Sequence, residues 1–296
     1  MTFQKMPISP KNIAVIGGGI SGLGAAHALS DTYNVTLFET ENRLGGHART
    51  ILAGKNGDQP VDTGFIVFNY ANYPELSKLF SDLNVPVVKS DMSFGASVRG
   101  GKIEYALRNF DAIFAQRKNV FKPKFIKMVW DINRFNTLGL TVADDKSITI
   151  RQFLERLKTG DWFRDYYLLP LSGAIWSTPT EKILEFPAYA MMQFFKNHAL
   201  LSRSGQHQWY TVEGGSREYV SRLENVLLKK QVDIRLSTPV ASVSRHETGV
   251  AIKTYRDEVQ MFDDVVFATH SDDTLALLTD ASLSLIHISE PTRQDR

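Results

Sequence analysis

The chain has 296 residues and a mass of 33.3 kDa, which allows two domains or one large one. Hydrophobic residues make up 43% and charged residues 22%, proportions that exclude an intrinsically disordered chain. The 34 basic and 32 acidic residues leave a net charge of +2, which is too balanced for nucleic acid as the main partner. The absence of cysteine excludes disulfides, thiolate metal ligands, a catalytic thiol and a cofactor tethered through sulfur, and we predict no metal site.

We expect neither a secretory signal nor a membrane span near the N-terminus. Residues 1–11 contain no apolar run of the kind found in secretory signals. Residues 13–29 are the most apolar early stretch, but they include five glycines and His27 and fall short of the ~20 residues of a membrane span. We therefore expect a cytoplasmic protein.

The opening segment predicts a strand, a glycine-rich turn, a helix and a second strand. Asn12–Ile16 is a short apolar run, and Asn34–Glu39 is another. Between them stands G-x-G-x-x-G, in which Gly17 permits a tight turn, Gly19 admits a pyrophosphate and Gly22 allows close packing of helix and strand. The helix N-terminus at Ile20 and Ser21 offers free N–H groups and a positive dipole end to phosphate. This pattern predicts a dinucleotide site.

An acidic residue follows the second strand at the expected distance. Glu39 lies 17 positions after Gly22, where a carboxylate accepts hydrogen bonds from ribose hydroxyls. An acid at this position favours a free 2′-hydroxyl, so the residues indicate FAD or NAD rather than NADP.

A second glycine motif begins four residues after Glu39. Arg43 offers a planar fork to phosphate, and Gly45–Gly46 lets backbone N–H groups approach a ligand. Together with His47 and Thr50, this segment resembles the E-x-x-x-R-x-G-G-R/H-x-x-T motif of the flavin-containing amine oxidoreductase superfamily, which includes amine oxidases, protoporphyrinogen oxidase and carotenoid desaturases. The resemblance implies non-covalently bound FAD, with Arg43, Gly45, Gly46 and His47 around it.

Further segments extend the resemblance over residues 12–282. Residues 61–69 are similar to the family's D-x-G segment near the flavin, which implies contacts from Gly64 and Phe65. Residues 236–243 resemble its adenine-contacting hairpin, which implies a backbone contact from Val240. Other matching segments are residues 209–220 and 264–270, while residues 68–74 and 173–177 are typical of a bacterial subgroup of NAD/FAD-binding oxidoreductases.

The resemblance implies an α/β fold in which a Rossmann-like FAD-binding domain, of the glutathione-reductase type, carries an inserted and mostly helical substrate domain. We expect residues 1–71 and 206–282 to form the discontinuous FAD-binding domain and residues 72–205 the substrate domain. Residues 283–296 resemble a translated sequencing adapter. We therefore expect a non-native tail there, on a chain that lacks the family's C-terminal segment.

Residues 105–135 combine basic and aromatic side chains. Seven Lys or Arg and two Asp give a local charge of +5, and six Phe or Trp are interleaved with them. One interpretation is a peripheral contact with the inner surface of the membrane. The other is a helical pair whose aromatic side chains pack in a core while its basic face meets water.

The resemblance implies hydride transfer from C–H/C–H or C–N bonds to flavin N5. The basic aromatic segment favours an apolar substrate, such as an unsaturated lipid or polyene, over a small amine, while an amine oxidase and a truncated, non-catalytic fragment remain alternatives. The weak candidates for catalytic residues are Asn69, His198 and Tyr210. For His198 the alternative is a structural hydrogen bond at a helix end. The oligomeric state is left open.

Overall fold

The computed structural model describes residues 10–65, 67–91, 94–107, 109–176, 179–201 and 207–285. Three residues of the motifs above, Ile66, Arg108 and Ser177, lie outside the described residues, as do residues 286–296 of the expected tail. The chain divides into two units: Met1–Val67, Glu75–Val88 and Thr211–Arg296 form the first, and Phe68–Pro74 and Lys89–Tyr210 form the second. Each unit is described separately below.

A four-stranded parallel sheet organises the first unit. Its strand order is β13–β1–β2–β9, so the strand before the glycine turn is central and is flanked on both sides. These strands are β1 (Asn12–Ile16), β2 (Asn34–Phe38), β9 (Asp233–Arg235) and β13 (Asp264–Phe267). Four of the five residues of β1 and of β2 are buried, as expected of strands covered on both faces. The sheet confirms the predicted Rossmann-like α/β class.

Two small antiparallel sheets and several helices complete the described part of the first unit. The hairpin comprises β3 (Thr50–Ala53) and β4 (Gln59–Asp62), and the three-stranded sheet comprises β10 (Val240–His246), β11 (Gly249–Thr254) and β12 (Val259–Phe262). The helices are α1 (Ile20–Leu29), α2 (Pro74–Asp82), α10 (Arg217–Lys229) and α11 (Ser271–Leu277). A core of Ala14, Ile16, Phe38, Val240, Val243, Val250, Ile252 and Phe262 joins the parallel sheet to the three-stranded one.

Helix α2 marks a difference from the domain boundaries expected from sequence. Residues 72–205 were expected to form one substrate domain, but Glu75–Val88 belongs to the first unit. The physical reason is aromatic packing, because the ring of Phe80 lies 6.3 Å from that of Phe65 and 5.2 Å from that of Tyr219. The boundary of the second unit at Tyr210 lies close to the expected residue 205.

The second unit is mostly helical. Its helices are α3 (Phe110–Ile113), α4 (Pro123–Val142), α5 (Ile150–Leu157), α6 (Asp161–Phe163), α7 (Leu169–Trp176), α8 (Thr180–Ile183) and α9 (Ala188–Asn197). A 3₁₀ turn (Arg117–Phe121) precedes α4, and a π-helical turn (Arg164–Leu168) precedes α7. Its hairpin is formed by β6 (Gly95–Val98) and β7 (Ile103–Ala106). Two further strands, β5 (Val87–Ser90) and β8 (Trp209–Val212), lie where the chain passes from one unit to the other.

The core of the second unit is rich in aromatic side chains. Five of its phenylalanines are fully buried: Phe125, Phe135, Phe153, Phe163 and Phe195. Helix α5 begins with a capping box in which the Thr149 hydroxyl and the Gln152 side chain exchange hydrogen bonds with each other's backbone. Asn109–Gln116 has a helical pattern in the sequence, but only Phe110–Ile113 forms a helix there. Within the described part of the chain, no helix combines the length and apolar character needed to cross a bilayer.

Candidate functional site

The glycine turn at the end of β1 is closed tightly by neighbouring backbone. Gly17 has a φ of +107°, and a Cβ at this position would lie 2.8 Å from the carbonyl oxygen of Ala268. A Cβ on Gly22 would overlap the carbonyl oxygen of Gly17. Both positions therefore require glycine, as the motif predicts.

Gly19, by contrast, faces open space. Its φ of −73° suits any residue, and no atom lies within 4 Å of the point that a Cβ would occupy. It is the N-cap of α1, where no side chain caps the helix and no acid occupies the first turn. Ile20 is 40% exposed and Ser21 is also exposed. The first turn of the helix thus presents uncapped N–H groups and a positive dipole end beside an open space, which is the arrangement that binds phosphate.

Glu39 is buried, and its carboxylate holds the turn in place. Its Oε2 accepts a hydrogen bond from the backbone N–H of Gly18 at 2.6 Å, and its Oε1 accepts one from the N–H of Glu41 at 2.7 Å. The backbone N–H of Glu39 in turn donates to the backbone carbonyl oxygen of Arg235 in β9. Each carboxylate oxygen has a second lone pair, so Glu39 can still accept a hydroxyl hydrogen bond from a ribose.

The second glycine motif lies directly against the first. Gly45 donates its N–H to the carbonyl oxygen of Gly18 at 2.8 Å and forms a β-bridge with Gly19. Gly45 and Gly46 have φ values of +105° and +54°, and a Cβ on Gly46 would lie 3.0 Å from Gly19 Cα. The structure thus brings together two motifs that are separated by more than twenty residues in the chain.

Arg43 bends back over its own loop. Its Nη1 donates to the carbonyl oxygen of Leu44 at 3.3 Å, and its Nη2 donates to that of Gly46 at 3.1 Å. No described carboxylate forms an ion pair with this guanidinium, so its charge is available to an anion.

His47, Gly64 and Phe65 form the next part of the site. A Cβ on Gly64 would overlap the carbonyl oxygen of His47, and the His47 ring stacks on that of His270 with centroids 5.8 Å apart. Phe65 packs edge-on against Tyr219, at 6.1 Å between centroids. Burial raises the pKa of the Tyr219 phenol to about 12, so this hydroxyl keeps its proton at neutral pH.

Val240 is buried, and the residues just before it in the chain contact the segment around Glu39. The N–H groups of Ser237 and Thr238 donate to the carbonyl oxygens of Glu41 and Glu39, each at 2.9 Å. The register of β10 against β11 shifts between Val240 and Ser242. This irregularity falls near the predicted adenine contact.

The role of Asp62 is not apparent from the sequence. Its carboxylate accepts hydrogen bonds from the Thr50 hydroxyl at 2.6 Å, from the Ser216 hydroxyl at 2.7 Å and from the Ser216 backbone N–H at 2.9 Å. Arg217 N–H then donates to the Thr50 hydroxyl. Asp62 thereby ties the β3–β4 hairpin to the start of α10. The only local signal was an acid in the family-like motif, which says nothing about a partner 154 positions away.

The three candidate catalytic residues lie in the second unit. Asn69 is fully buried: its Oδ1 accepts the N–H of Asn72 at 2.8 Å, while its Nδ2 has no hydrogen-bond partner among the described residues. Tyr210 exchanges two backbone hydrogen bonds with Phe68, and its ring contacts that of Tyr70 edge-on at 4.8 Å. Tyr70 and Tyr210 thus form a partly exposed aromatic pair beside the buried Phe68.

His198 lies at the end of helix α9. Its Nδ1 donates to the carbonyl oxygen of Phe194 at 3.0 Å, which leaves Nε2 as the hydrogen-bond acceptor of the neutral ring. The ring stacks on Phe194 at 4.0 Å and lies nearly parallel to Trp209 at 6.2 Å. This geometry is that of a structural histidine at a helix end.

One group among the described residues has the spacing of metal ligands. The ligand atoms of His270, Asp272 and Asp273 lie within 4.8 Å of one another at the start of α11. His270 and Asp273 are exposed and Asp272 is half-buried, and exposed acidic groups of this kind are common without an ion.

The features of the first unit fit FAD. An open space lies over Gly19, an uncapped helix N-terminus adjoins it, and Arg43 is not neutralised by a described acid. Glu39 retains lone pairs for ribose. The cofactor-binding residues predicted from sequence all belong to this unit.

Comparisons with known proteins agree with this fit. The family model of flavin-containing amine oxidoreductases matches residues 20–285. Coproporphyrinogen III oxidase of Mycobacterium tuberculosis is 39% identical over 82 residues, which cover 26% of this chain and 17% of the relative. Polyamine oxidase 5 of Oryza sativa subsp. japonica is 56% identical over 43 residues, which cover 14% of this chain and 9% of the relative.

Solved structures show the same fold. Cyclohexylamine oxidase from Brevibacterium oxydans superposes with a TM-score of 0.71 at 19% identity, covering 95% of this chain and 63% of that one. A putrescine oxidase variant gives a TM-score of 0.68 at 18% identity, covering 96% and 64%. The chain thus spans less than two thirds of these solved neighbours. Since the family model matches most of its length, the chain belongs to the flavin-containing amine oxidoreductases, and its cofactor is FAD.

Proposed function

We propose that the protein is an FAD-dependent oxidoreductase that acts on an apolar, unsaturated substrate such as a lipid or polyene. When bound, FAD would supply a hydride acceptor, flavin N5, for the oxidation of a C–H/C–H bond to a double bond. The first unit holds the cofactor in this proposal, and the second unit contacts the substrate.

The proposed role of the first unit is to bind and orient FAD. The N-terminus of α1 and Arg43 bind the pyrophosphate, and Glu39 binds the ribose of the adenosine. Gly45 and Gly46 let the second motif pack against the first, because a Cβ on either would press against neighbouring protein atoms. Asp62 acts as a positioning residue for α10, because its carboxylate accepts hydrogen bonds from Thr50 and from Ser216 at the start of that helix.

The contact between Tyr70 and Tyr210 is the observation that favours an apolar substrate over an amine. An aromatic cage for an ammonium ion needs room for the cation against the ring faces. Here the two rings touch edge-to-face with centroids 4.8 Å apart, so no cation fits between them. Phe68 lies beside them at 5.7 Å from Tyr70. Such a surface favours an apolar chain over an amine.

An amine oxidase is the second candidate. It is favoured by the similarity to polyamine oxidase 5 and by the exposed face of Tyr70, which is 51% exposed. The π-face of a tyrosine attracts a cation, so a small rotation of Tyr70 would turn the pair into a cage.

Anaerobic mixing of the FAD-loaded protein with two substrate panels tests the proposal. We expect unsaturated fatty acids or polyenes to bleach the visible flavin absorbance, and diamines or cyclic amines to leave it unchanged. Bleaching by amines alone would assign the protein to the amine oxidases. Bound FAD that no member of either panel reduces would favour the non-catalytic alternative.

A Tyr210→Ala variant locates the substrate surface. We expect slower bleaching with unchanged FAD content, because Tyr210 belongs to the second unit. Tyr255→Ala is the matched control, since Tyr255 is a 73% exposed tyrosine of the first unit. Equal rates in both variants would exclude Tyr210 from the substrate surface.

A further inference from the structure

Among residues 105–135, the aromatic side chains whose burial is described fall into two groups, one buried and one exposed. Phe125 and Phe135 are fully buried in the core of the second unit, and Phe114 packs against that core. The packing interpretation holds for these three. Phe121 and Trp130, however, are 85% and 69% exposed, so packing within the described chain does not account for them.

The exposed apolar side chains lie together on the surface. Val120, Phe121 and Trp130 line one open groove with Pro123 and Ile126. Single exposed apolar residues are ordinary on protein surfaces, whereas a contiguous group marks an interaction surface. We call the surface formed by residues 117–134 the basic aromatic face.

Lys127 lines this groove, and five further cations lie within residues 117–134. Two of them are paired, since Lys127 contacts the buried Asp131 at 2.7 Å and Arg117 contacts Asp111 at 2.6 Å. Three others, Lys118, Lys124 and Arg134, form no ion pair with any residue that the structure describes. Lys122 donates only to the neutral amide of Asn119. The face therefore carries uncompensated positive charge beside exposed aromatic rings.

Helix α4 has a buried side and an exposed side. Its buried residues Phe125, Met128, Asp131, Phe135 and Gly139 follow the helical period and anchor it to the core. Lys127, Trp130 and Arg134 are not buried and lie on the other side of the helix. The anchored side fixes the orientation of the outward side without any partner.

We propose that the basic aromatic face docks on the surface of an anionic lipid bilayer. Trp and Phe enter the boundary between headgroups and acyl chains, where an aromatic body meets an apolar layer. The long apolar stems of Lys and Arg lie along that boundary while their charges contact lipid phosphates. The proposal goes beyond the proposed function, because docking requires neither FAD nor a substrate.

Co-sedimentation of the full chain with vesicles tests the proposal. We expect pelleting with mixed phosphatidylcholine–phosphatidylserine vesicles, little with phosphatidylcholine alone, and a marked loss at high salt. The triple variant K118Q/K124Q/R134Q should reduce partition about 100-fold. The control K55Q/K182Q/K229Q removes the same charge from three lysines elsewhere in the sequence and should bind as the parent does.

The aromatic contribution is tested separately. F121S/W130S should lower partition by about tenfold with an unchanged melting temperature, since both side chains are exposed. Brominated acyl chains should quench the protein fluorescence, and Trp130→Phe should abolish that quenching while retaining binding. Absence of pelleting with anionic vesicles, or equal pelleting of both triple variants, would overturn the proposal. Self-association in gel filtration that F121S/W130S abolishes, without vesicle binding, would instead assign the face to a protein contact.

Discussion

Both carboxylate oxygens of Asp62 lie 2.9 Å from the backbone nitrogen of Ser216, 154 positions away in the chain. Asp62 therefore caps α10 from another part of the chain. The side chain of Ser216, the N-cap residue of the helix, forms no capping hydrogen bond within it. The acid of the family-like motif is therefore engaged by the protein itself. We therefore expect a substitution of Asp62 to alter function by moving the β3–β4 hairpin and α10.

Asp62→Ala should destabilise the fold. It removes three hydrogen bonds that end on a carboxylate and leaves a helix N–H unpaired, so we expect a loss of about 3 kcal/mol in the free energy of unfolding. Denaturant unfolding measures this loss. Asp58→Ala, in the exposed turn of the same hairpin, should change stability by less than about 0.5 kcal/mol. Equal effects of the two changes would contradict the capping role.

Gly22 and Gly24 offer a matched comparison within α1. A Cβ on Gly22 would overlap the carbonyl oxygen of Gly17, whereas nothing lies within 4 Å of a Cβ on Gly24. Gly22→Ala should cost more than about 2 kcal/mol through backbone displacement. Gly24→Ala should stabilise by about 0.5–1 kcal/mol, because alanine is the better helix former. Thermal unfolding of the two variants without FAD decides, and a stable Gly22→Ala variant would refute the close contact.

Gly19→Ala separates cofactor binding from folding. Its φ is ordinary and its Cβ would meet no protein atom, so the protein without FAD should lose no more than about 1 kcal/mol, the cost of replacing glycine by the poorer N-cap alanine. The added methyl group would occupy the space proposed for the pyrophosphate. We expect FAD affinity to fall at least about tenfold, equivalent to about 1.4 kcal/mol. Unchanged affinity in a flavin titration would place the pyrophosphate elsewhere.

Glu39→Ala should weaken FAD by about 10–150-fold, because charge-assisted hydrogen bonds to ribose contribute about 1.5–3 kcal/mol. The variant should also unfold more easily, since the N–H groups of Gly18 and Glu41 lose their acceptor. Glu41→Ala is the control, as its side chain is exposed and only its backbone contacts Glu39. FAD titration at a temperature where all three proteins are folded separates the two effects. An unchanged dissociation constant for Glu39→Ala would exclude it as the ribose ligand.

His27 gives the first unit a pH-dependent stability. Partial burial and the positive charge of Lys230 lower its pKa below the ordinary value of 6.5. The unfolded chain therefore takes up this proton first as pH falls, so stability is present above about pH 6.5 and decreases below it. His27→Gln should reduce the loss of stability between about pH 7.5 and 5.5. Identical profiles for His27→Gln and the parent would contradict the assignment.

The glycine turn could be predicted from sequence because its requirements are local. A tight turn after a buried strand needs a positive φ at Gly17 and no side chain at Gly22, and both appear as glycine in the sequence. Strand β1 coincides with the predicted Asn12–Ile16 for the same reason, as its apolar run is short and bounded by glycine.

The partner of Asp62 and the division of the aromatic residues could not be predicted in this way. The hydrogen bond to Ser216 depends on how two distant segments fold together. Phe125 and Phe135 differ from Trp130 in their position around α4, which the helical period of the buried residues could have indicated. Phe121 precedes the helix, and only the three-dimensional structure shows that it lies beside Trp130.

Arg43 is held by the carbonyl oxygens of Leu44 and Gly46, which are neutral acceptors. A flexible arginine loses up to about 2 kcal/mol of rotamer entropy when a ligand immobilises it. Here that ordering has occurred before any phosphate arrives, and the two acceptors leave the full positive charge in place. The loop therefore offers an incoming anion a guanidinium whose orientation is already fixed. The entropy cost of ordering Arg43 then does not reduce the attraction between the two charges.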